Sequence, residues 1–517
     1  FPVSLSDIER IEVLEGASAR VFGSSAFNGA INIVTRPDRE SCVRLSAEGG
    51  SFGSFGGDFG VSLLTGSVSQ KLSGGYTQSD GGTKNSDFKR RREYYTGSYT
   101  SRYADLVWQA GLSSQDYGAS TFYSAKFDNQ WEATRRIITS AQADIKPFGD
   151  ERLVITPQAY WHRDVDHYQL TRGKEGAKNG ENYHRTDVYG ASLNAHATWL
   201  LGKTAVGMDI RKEHILSTAY GDVLPENEWK DIHGTDRRYD HRGDRTNTSL
   251  FLEHNVILGG FTLSAGVLAN RNTGLDGDFR FYPGVDISYR PNEMWKFYAS
   301  WNKALRVPTY TDLYTSNSVQ QGDTGLRPER TSTFKAGTRF RTRGVEAVVS
   351  GFYSKGNDII DWVYETEESR KYHAMNIGKL DNMGYSVDAT LNMTELLPGS
   401  FVTRIKAGYA RIHQRHTTEQ PVYRSLYALE YLRHKATFQL DHRIWSRLSA
   451  SWAVRWQERM NHYEPYTKVD CKLQWTAPTY SLYVKADNIT NHRYYDLGGV
   501  RQPGLWIMAG GSVKIGL

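Results

Sequence analysis

No run of about 18 apolar residues occurs anywhere in the 517 residues, so no helix of this chain is predicted to cross a bilayer. Cysteine is scarce, with only Cys42 and Cys471. A one-signed charge excess is missing too: the net charge is +6 with 23% charged residues of both signs interspersed, which is too mild to argue for nucleic acid. No Ser/His/Asp set stands out. Gly66-Ser67 and Gly97-Ser98 lie in strand-like contexts without a nucleophile elbow, so an enzyme is not expected. No signal peptide is visible and the chain opens inside a motif, so an N-terminal portion is expected to have been lost. The mean hydropathy is −0.58, which alone would suit a soluble protein.

What is present reverses that impression. Tyr (32) and Trp (13) are plentiful, as in aromatic girdles at two membrane interfaces. From about residue 40 onward, segments of roughly ten residues alternate apolar and polar side chains, the pattern of strands with one face on lipid and one on a polar lumen. Leu505, Ile507, Ala509, Val513, Ile515 and Leu517 share a face; Trp506, Met508, Ser512 and Lys514 share the other. Leu482, Val484 and Ala486 oppose Tyr483, Lys485 and Asp487, and Trp295, Phe297, Ala299 and Trp301 oppose Lys296, Tyr298, Ser300 and Asn302. Lys and Asp would cost a few kcal/mol each near the midplane of the lipid, so they are expected to face inward.

Spacers alternate in length. Pro147-Phe148-Gly149, Gly259-Gly260, Pro291-Asn292-Glu293, Thr342-Arg343 and Leu397-Pro398-Gly399 read as tight turns. Long connections are expected near 115–133, 162–186, 214–246, 303–331, 355–384, 412–433 and 489–504. Short turns on one side and long loops on the other is the asymmetry of a bacterial outer-membrane barrel. The fold class expected is all-β, an antiparallel transmembrane β-barrel of about 22 strands, the size at which a lumen needs a plug. No fixed sequence period suggests a propeller instead. Cys42 would face the lumen and Cys471 the lipid, on non-adjacent strands, so both thiols are expected to be free.

The opening residues Ile8-Glu9-Arg10-Ile11-Glu12-Val13-Leu14-Glu15-Gly16, then Gly23, then Asn28-Gly29-Ala30-Ile31-Asn32-Ile33-Val34-Thr35 resemble the end of the plug domain of TonB-dependent outer-membrane transporters. The resemblance departs at Ala17, where family members often carry Pro. Tyr117-Gly118-Ala119-Ser120-Thr121-Phe122-Tyr123 is similar to an early extracellular loop of that family. Arg306-Val307-Pro308, Leu313-Tyr314 and Leu326-Arg327-Pro328-Glu329 resemble two further boxes, although Asp323-Thr324-Gly325 replaces an Asn-Pro. Asp487-Asn488-Ile489-Thr490-Asn491-His492-Arg493-Tyr494-Tyr495 and Gln502-Pro503-Gly504 resemble the last loop, and the chain ends in Leu517 where such barrels usually end in Phe.

The resemblance implies residues 1–38 as the C-terminal part of a plug, residues 39–517 as the barrel, and TonB-dependent uptake of a scarce, bulky solute across the outer membrane of a Gram-negative bacterium. It implies TonB and its inner-membrane motor as partners, through a TonB box not present here, together with outer-membrane lipid and a surface-exposed lipoprotein as a further candidate. No cofactor is implied. Glu9, Arg10 and Glu12 are expected to pair with the barrel wall. Phe122, Tyr123, Trp131, Tyr310 and Tyr314 are candidate solute contacts, because an aromatic ring offers apolar area with a polar edge. Cobalamin is the first candidate solute, on a likeness of Tyr183-His184-Arg185-Thr186-Asp187-Val188-Tyr189-Gly190 to Bacteroidota-type cobalamin transporters. A ferric siderophore or haem is the alternative. Haem-uptake relatives usually place a histidine between the two central boxes, and here none occurs between His254 and His373. A passive porin is the alternative of another class. Two clusters, His162-Arg163-Asp164-Val165-Asp166-His167 and Asp236/Asp240/Asp244, read as solvated loops rather than metal sites, and the basic run Lys89–Arg92 as a loop or a contact to lipopolysaccharide phosphates.

Overall fold

A computed structural model describes residues 2–15, 29–35, 40–124, 126–275, 277–418, 420–426, 428–429, 431–460, 463–496 and 500–517. An antiparallel barrel of 22 strands, from Cys42–Gly50 to Trp506–Gly516, closes on itself. Closure is direct. The strand Cys42–Gly50 pairs with Ser54–Thr65 on one side and with Trp506–Gly516 on the other, Cys42 opposite Gly516 and Gly50 opposite Met508. No sheet edge is left open to the bilayer, as a membrane requires of strands.

The alternation read from the sequence sets the two faces. Trp295, Phe297, Trp301, Leu482, Val484, Ile507 and Ile515 all project outward. The charges go inward: Glu48 accepts hydrogen bonds from Tyr483 at 2.6 Å and Lys485 at 2.9 Å, spanning the closing seam. This division is testable. Leu193 points outward and Ser192, its neighbour on the lumen face, sits beside Gln158. Leu193→Arg should cost about 2–4 kcal/mol of stability in a bilayer, whereas Ser192→Arg should cost close to nothing. Reversible urea unfolding in lipid vesicles measures both, and equal costs would mean that the faces are reversed.

Tight turns join strands at one end, among them 66–67, 200–201, 259–260 and 343–344. Gly259 adopts φ +56°, and a Cβ there would meet nothing within 4 Å, so the turn asks for glycine through its backbone alone. At the other end lie the long connections 121–129, 170–180, 218–240, 307–328, 358–377, 419–431 and 488–505. All but the last, which is longer by one residue at each end than expected, are shorter than the sequence suggests, because the strands run on. Ala104–Ser120 has 17 residues and Glu181–Trp199 has 19, against the roughly 9–11 that span a membrane. Above the lipid a strand has no reason to be apolar on either face, so its polar end reads as a loop. The run Lys89–Arg92 is thus part of the strand Phe88–Thr100, with Arg92 paired to Asp58 on one face and Arg91 to Glu93 at 2.6 Å on the other. His162–His167 likewise belongs to the strand Leu153–Gln169; Arg163 bonds Asp187 at 2.7 Å, and Asp164 pairs with Arg136. Asp244 lies in a strand beside His214 at 2.8 Å, and Asp240 bonds His241 at 2.7 Å.

Neither cysteine forms a disulfide; Cys42 is buried and Cys471 shares the outward face of Leu473.

The N-terminal residues form a hairpin, Ile8–Glu15 against Gly29–Thr35. Its ends rest on the inner wall. Asp7 meets Lys71 at 3.1 Å with both side chains buried, and accepts further hydrogen bonds from the Ser4 amide and the Ser4 and Ser73 hydroxyls. Thr35 bonds the hydroxyl of buried Tyr94 at 2.7 Å. Pro2 lies over Gly111, where a Cβ would come within 2.5 Å of it. Gly16, Ala17, Gly23 and Asn28 of the opening motif fall outside the described residues. Glu12 accepts from Arg10 at 2.6 Å and from Asn32 at 2.8 Å, both within the hairpin, and Arg10 also faces Glu9 at 3.6 Å. Among the described residues, the wall contacts set out above come from Pro2, Asp7 and Thr35, none of which was expected from the sequence to touch the wall.

Candidate functional site

The strands that flank the connection 307–328 end at Arg306 and Glu329, which are register partners. Arg306 grips Glu329 through Nε and, at 3.0 Å, through Nη2, while Nη1 reaches Asp312 at 3.1 Å. This closes the neck of the loop with a forked guanidinium, the geometry that suits paired carboxylates. Asp312 is already needed locally. Thr309 caps the short helix Tyr310–Tyr314 by accepting from the Asp312 amide at 3.1 Å, and Asp312 returns the bond to the Thr309 amide at 2.9 Å, a capping box. Arg306 therefore fixes the helix against the neck.

The helix folds inward onto the wall. Arg245 donates to the Pro308 carbonyl at 2.8 Å and its guanidinium stands 4.6 Å over the Tyr310 ring. Gly243 makes room, since a Cβ there would lie 2.6 Å from Tyr310. Burial pushes the Tyr310 hydroxyl up to about 12, and among the described residues that oxygen has no hydrogen-bond partner. Tyr314 lies one turn along, its ring 6.2 Å from that of Tyr310.

Three loops then join in a small sheet of their own. Gln320–Gln321 pairs with Tyr372–Asn376, that strand with Ile360–Tyr364, and that in turn with Arg424–Ser425. Leu326, Ile360, Trp362 and Ala374 form its apolar core. The carboxylate of buried Asp361 accepts from the Ser425 hydroxyl and, at 3.0 Å, from the Ala428 amide, tying the connection 358–377 to 419–431. Glu329 ties the sheet to the loop neck by accepting from the Ile360 amide at 2.7 Å. Asp358 holds Arg327 at 2.8 Å and Arg330 at 2.5 Å; its burial opposes ionisation, but the two guanidiniums keep its carboxyl below the usual range. Lys126 donates to the Arg370 carbonyl at 3.1 Å, which brings in the connection 121–129.

Beneath this sheet is a cavity of about 630 Å³. Ile359 to Trp362 and Ala428 lie at its loop side, and Gly29 of the N-terminal hairpin also lines it. Arg306, Asp312, Glu329, Thr331, Ser354, Asn382 and Gln414 supply the polar part of the rest of the wall. A second hollow of about 450 Å³ shares Ser354, Asn382 and Gln414 and extends past Phe352 and Lys335. This is a chamber between loops and hairpin, concave like most small-molecule sites but with a more polar lining than most.

The family of "TonB dependent receptor-like, beta-barrel" proteins matches residues 43–489. This chain belongs to the TonB-dependent receptor family. Such receptors work with TonB in the transport of small solutes across the outer membrane. Among solved structures, this receptor is similar to the FrpB iron transporter of Neisseria meningitidis in its apoprotein form, at 16% identity and a TM-score of 0.78, covering 99% of this chain and 88% of that one. The copper transporter OprC matches at 16% identity and a TM-score of 0.80, covering 99% and 86%. A point mutant of the ferric enterobactin receptor PfeA of Pseudomonas aeruginosa matches at 16% identity and a TM-score of 0.75, again covering 99% and 86%. At such identity the likeness is one of fold.

The five aromatic candidates are not brought to one place. Tyr310 and Tyr314 share the inward helix described above. Tyr123 is spent on structure: its hydroxyl and that of Tyr117 both donate to Glu132, and burial, with Glu132 beside it, pushes the Tyr123 hydroxyl far above its ordinary range. Phe122 stands exposed, edge-on to Tyr123, in a narrow crevice with Tyr372, Arg424 and Tyr463. Trp131 lies on the opposite face of its strand from Glu132, edge-on to His167. Sequence reading missed Asp312, Asp361, Asn382 and Gln414. Only Asp361 carried a visible signal, a lone carboxylate inside the apolar run Ile359-Ile360-Asp361-Trp362-Val363.

Proposed function

We propose that this receptor captures a bulky metal chelate, a corrinoid such as cobalamin or a ferric siderophore, in the chamber beneath its loop sheet, and releases it inward when TonB and its inner-membrane motor act on a plug of which residues 1–38 are the C-terminal part. One observation carries the reading: three connections fold together over the mouth above a cavity of about 630 Å³ that the hairpin also lines. A passive porin needs an open bore, and both the loop sheet and the hairpin stand in this one. The iron, ferric enterobactin and copper named for the similar structures agree with a metal-bearing cargo. Tyr310 and Tyr314 are the contacts this reading favours, with exposed Phe122 at the mouth and Tyr123 and Trp131 behind it in the wall. Glu9, Arg10 and Glu12 would act at the plug–barrel boundary. A surface lipoprotein could hand over the solute at the exposed loops. The protein would sit in the outer membrane of a Gram-negative bacterium.

Binding of labelled cobalamin, haem and ferric siderophores to the purified receptor tests the proposal. A saturable, stoichiometric complex with at least one is expected. Tyr310→Ala combined with Tyr314→Ala should weaken it about tenfold, the order of 1–1.5 kcal/mol for ring contacts of this kind. Unchanged affinity would remove the helix from the site, and conductance through unenergised planar bilayers would favour the porin.

A further inference from the structure

On the outside of the wall, charge is sorted by end. In the five strands from Phe88–Thr100 to Glu181–Trp199, the outward positions near the tight turns are uncharged, among them Tyr99, Leu106, Ile145, Ile155 and Ala197. Near the loops the same face carries the cations Lys89, Arg91, Arg135, Arg163 and Arg185 against the carboxylates Glu93, Asp116 and Asp187. A fourth carboxylate, Glu181, is covered by Arg237 at 2.8 Å. In the connections above, Lys84 pairs with Asp128 and Arg172 with Asp87. Five cations against three carboxylates leave the outer face positive at this end.

Three of the cations are also in line. Arg91 is the register partner of Ser114, Ser114 of Arg135, Arg135 of Val165, and Val165 of Arg185. Each arginine stands two strands from the next, about 10 Å at the usual strand spacing. Arg135, in the middle, is exposed and makes no ion pair among the described residues. The side chain of Arg91 is 73% exposed although Glu93 lies beside it. Exposed guanidiniums offer forked donors that match a phosphate.

Nearer the membrane the same strands turn aromatic and then apolar. Tyr95, Thr139, Trp161 and Tyr189 share one register row, and the Arg163 guanidinium stands 5.2 Å over the Trp161 ring. Amphipathic rings so placed mark the headgroup level of a leaflet. In the next row Ala141, Ala159 and Ala191 lie side by side between Trp108 and Ile210, and a hollow of about 330 Å³ opens over part of it. Phosphate donors, then rings, then apolar room is the order of groups along a lipid. A head with a single phosphate would meet one arginine of the row; arginines about 10 Å apart suit a head that carries two.

We infer that this face of the barrel binds one polyacylated glycolipid of the outer leaflet, bearing at least two phosphates, through Arg91, Arg135 and Arg185, with acyl chain against the hollow beside Trp108 and Ala159. The site lies outside the wall and does not depend on which solute the chamber takes.

Native mass spectrometry of the full-length receptor in detergent, titrated separately with bisphosphoryl lipid A, monophosphoryl lipid A and phosphatidylglycerol, tests the inference. One bisphosphoryl lipid A per receptor should bind at least five-fold more tightly than either other lipid. Arg91→Ala with Arg135→Ala should weaken it ten-fold or more, in a barrel that still migrates as a folded, heat-modifiable band. Ser114→Glu deletes no cation and sets a carboxylate between the two arginines; it should weaken binding at least five-fold. Binding of phosphatidylglycerol as tight as that of bisphosphoryl lipid A would overturn the inference. So would unchanged affinity in either variant, or a folded receptor that retains no lipid A.

Discussion

Replacing Arg306 with alanine should abolish high-affinity capture of the solute while leaving the barrel folded. The guanidinium is shared by two buried carboxylates, Glu329 at 4% exposure and Asp312 at 8%. Removing it strands both negative charges near each other in a site that water barely reaches, and leaving a buried charge unpaired typically costs about 3–5 kcal/mol. The cheapest relief is for the loop to leave. The connection 307–328 would swing out, taking the helix Tyr310–Tyr314 from its place under Arg245, and Glu329 would loosen its bond to the Ile360 amide. Loops occupy the low end of local stability, so the cost falls there and not on the closed ladder. Even about 3 kcal/mol paid on binding to restore the loop lowers affinity by roughly a hundredfold. Arg306→Lys should fall in between, because an ammonium keeps the charge but cannot fork between two carboxylates. Isothermal titration with the bound chelate, alongside the heat-modifiability of the barrel on gels, separates the outcomes. Wild-type affinity in Arg306→Ala would show that the neck clasp plays no part in holding the site.

The same residue shows how far the sequence could be read. Arg306-Val307-Pro308 and Leu326-Arg327-Pro328-Glu329 stood out as motifs, and the long gap between them marked a loop. Nothing in one dimension says that Arg306 and Glu329 are opposite one another; that follows from the register Trp295↔Phe340 continued to the strand ends. Within the membrane the faces were legible, because lipid demands apolar side chains at every second position, and the outward row of Trp295, Phe297 and Trp301 obeys that rule. Above the membrane the rule lapses. Strand and loop there share one composition, which is why Lys89–Arg92 and His162–His167 read as loops although both lie in strands. The chamber was the least legible part. Asn382 and Gln414 are ordinary lumen residues until the pairing of their strands sets them side by side. The aromatic candidates failed to cluster for a related reason: Trp131 and Glu132 are neighbours in sequence and point to opposite sides of the wall.

Lys71→Met should release the N-terminal hairpin from the wall without weakening the barrel ladder. Lys71 and Asp7 are an ion pair at 3.1 Å with side-chain exposures of 1% and 0%, and Lys71 also donates to the Ser6 carbonyl at 2.7 Å. With the ammonium gone, Asp7 keeps, among the described residues, the hydrogen bonds of Ser4 and Ser73 and remains a buried, uncompensated charge. The expected penalty is again about 3–5 kcal/mol, now charged to the seating of residues 2–7. Removing both charges together, Lys71→Met with Asp7→Leu, takes away the stranded carboxylate and should recover much of the loss, since a buried pair is often worth little more than the apolar groups that can replace it. Amide exchange across Ser4–Glu15 in the full-length receptor reads the effect directly. Protection there should fall in Lys71→Met, return in large part in the double variant, and stay constant in the strands Val68–Ser79 and Phe88–Thr100 that carry the contact. Thr35, held separately by Tyr94, should keep the far end of the hairpin in place. If exchange over residues 4–15 is no faster in Lys71→Met than in the parent, the pair does not hold the hairpin to the wall.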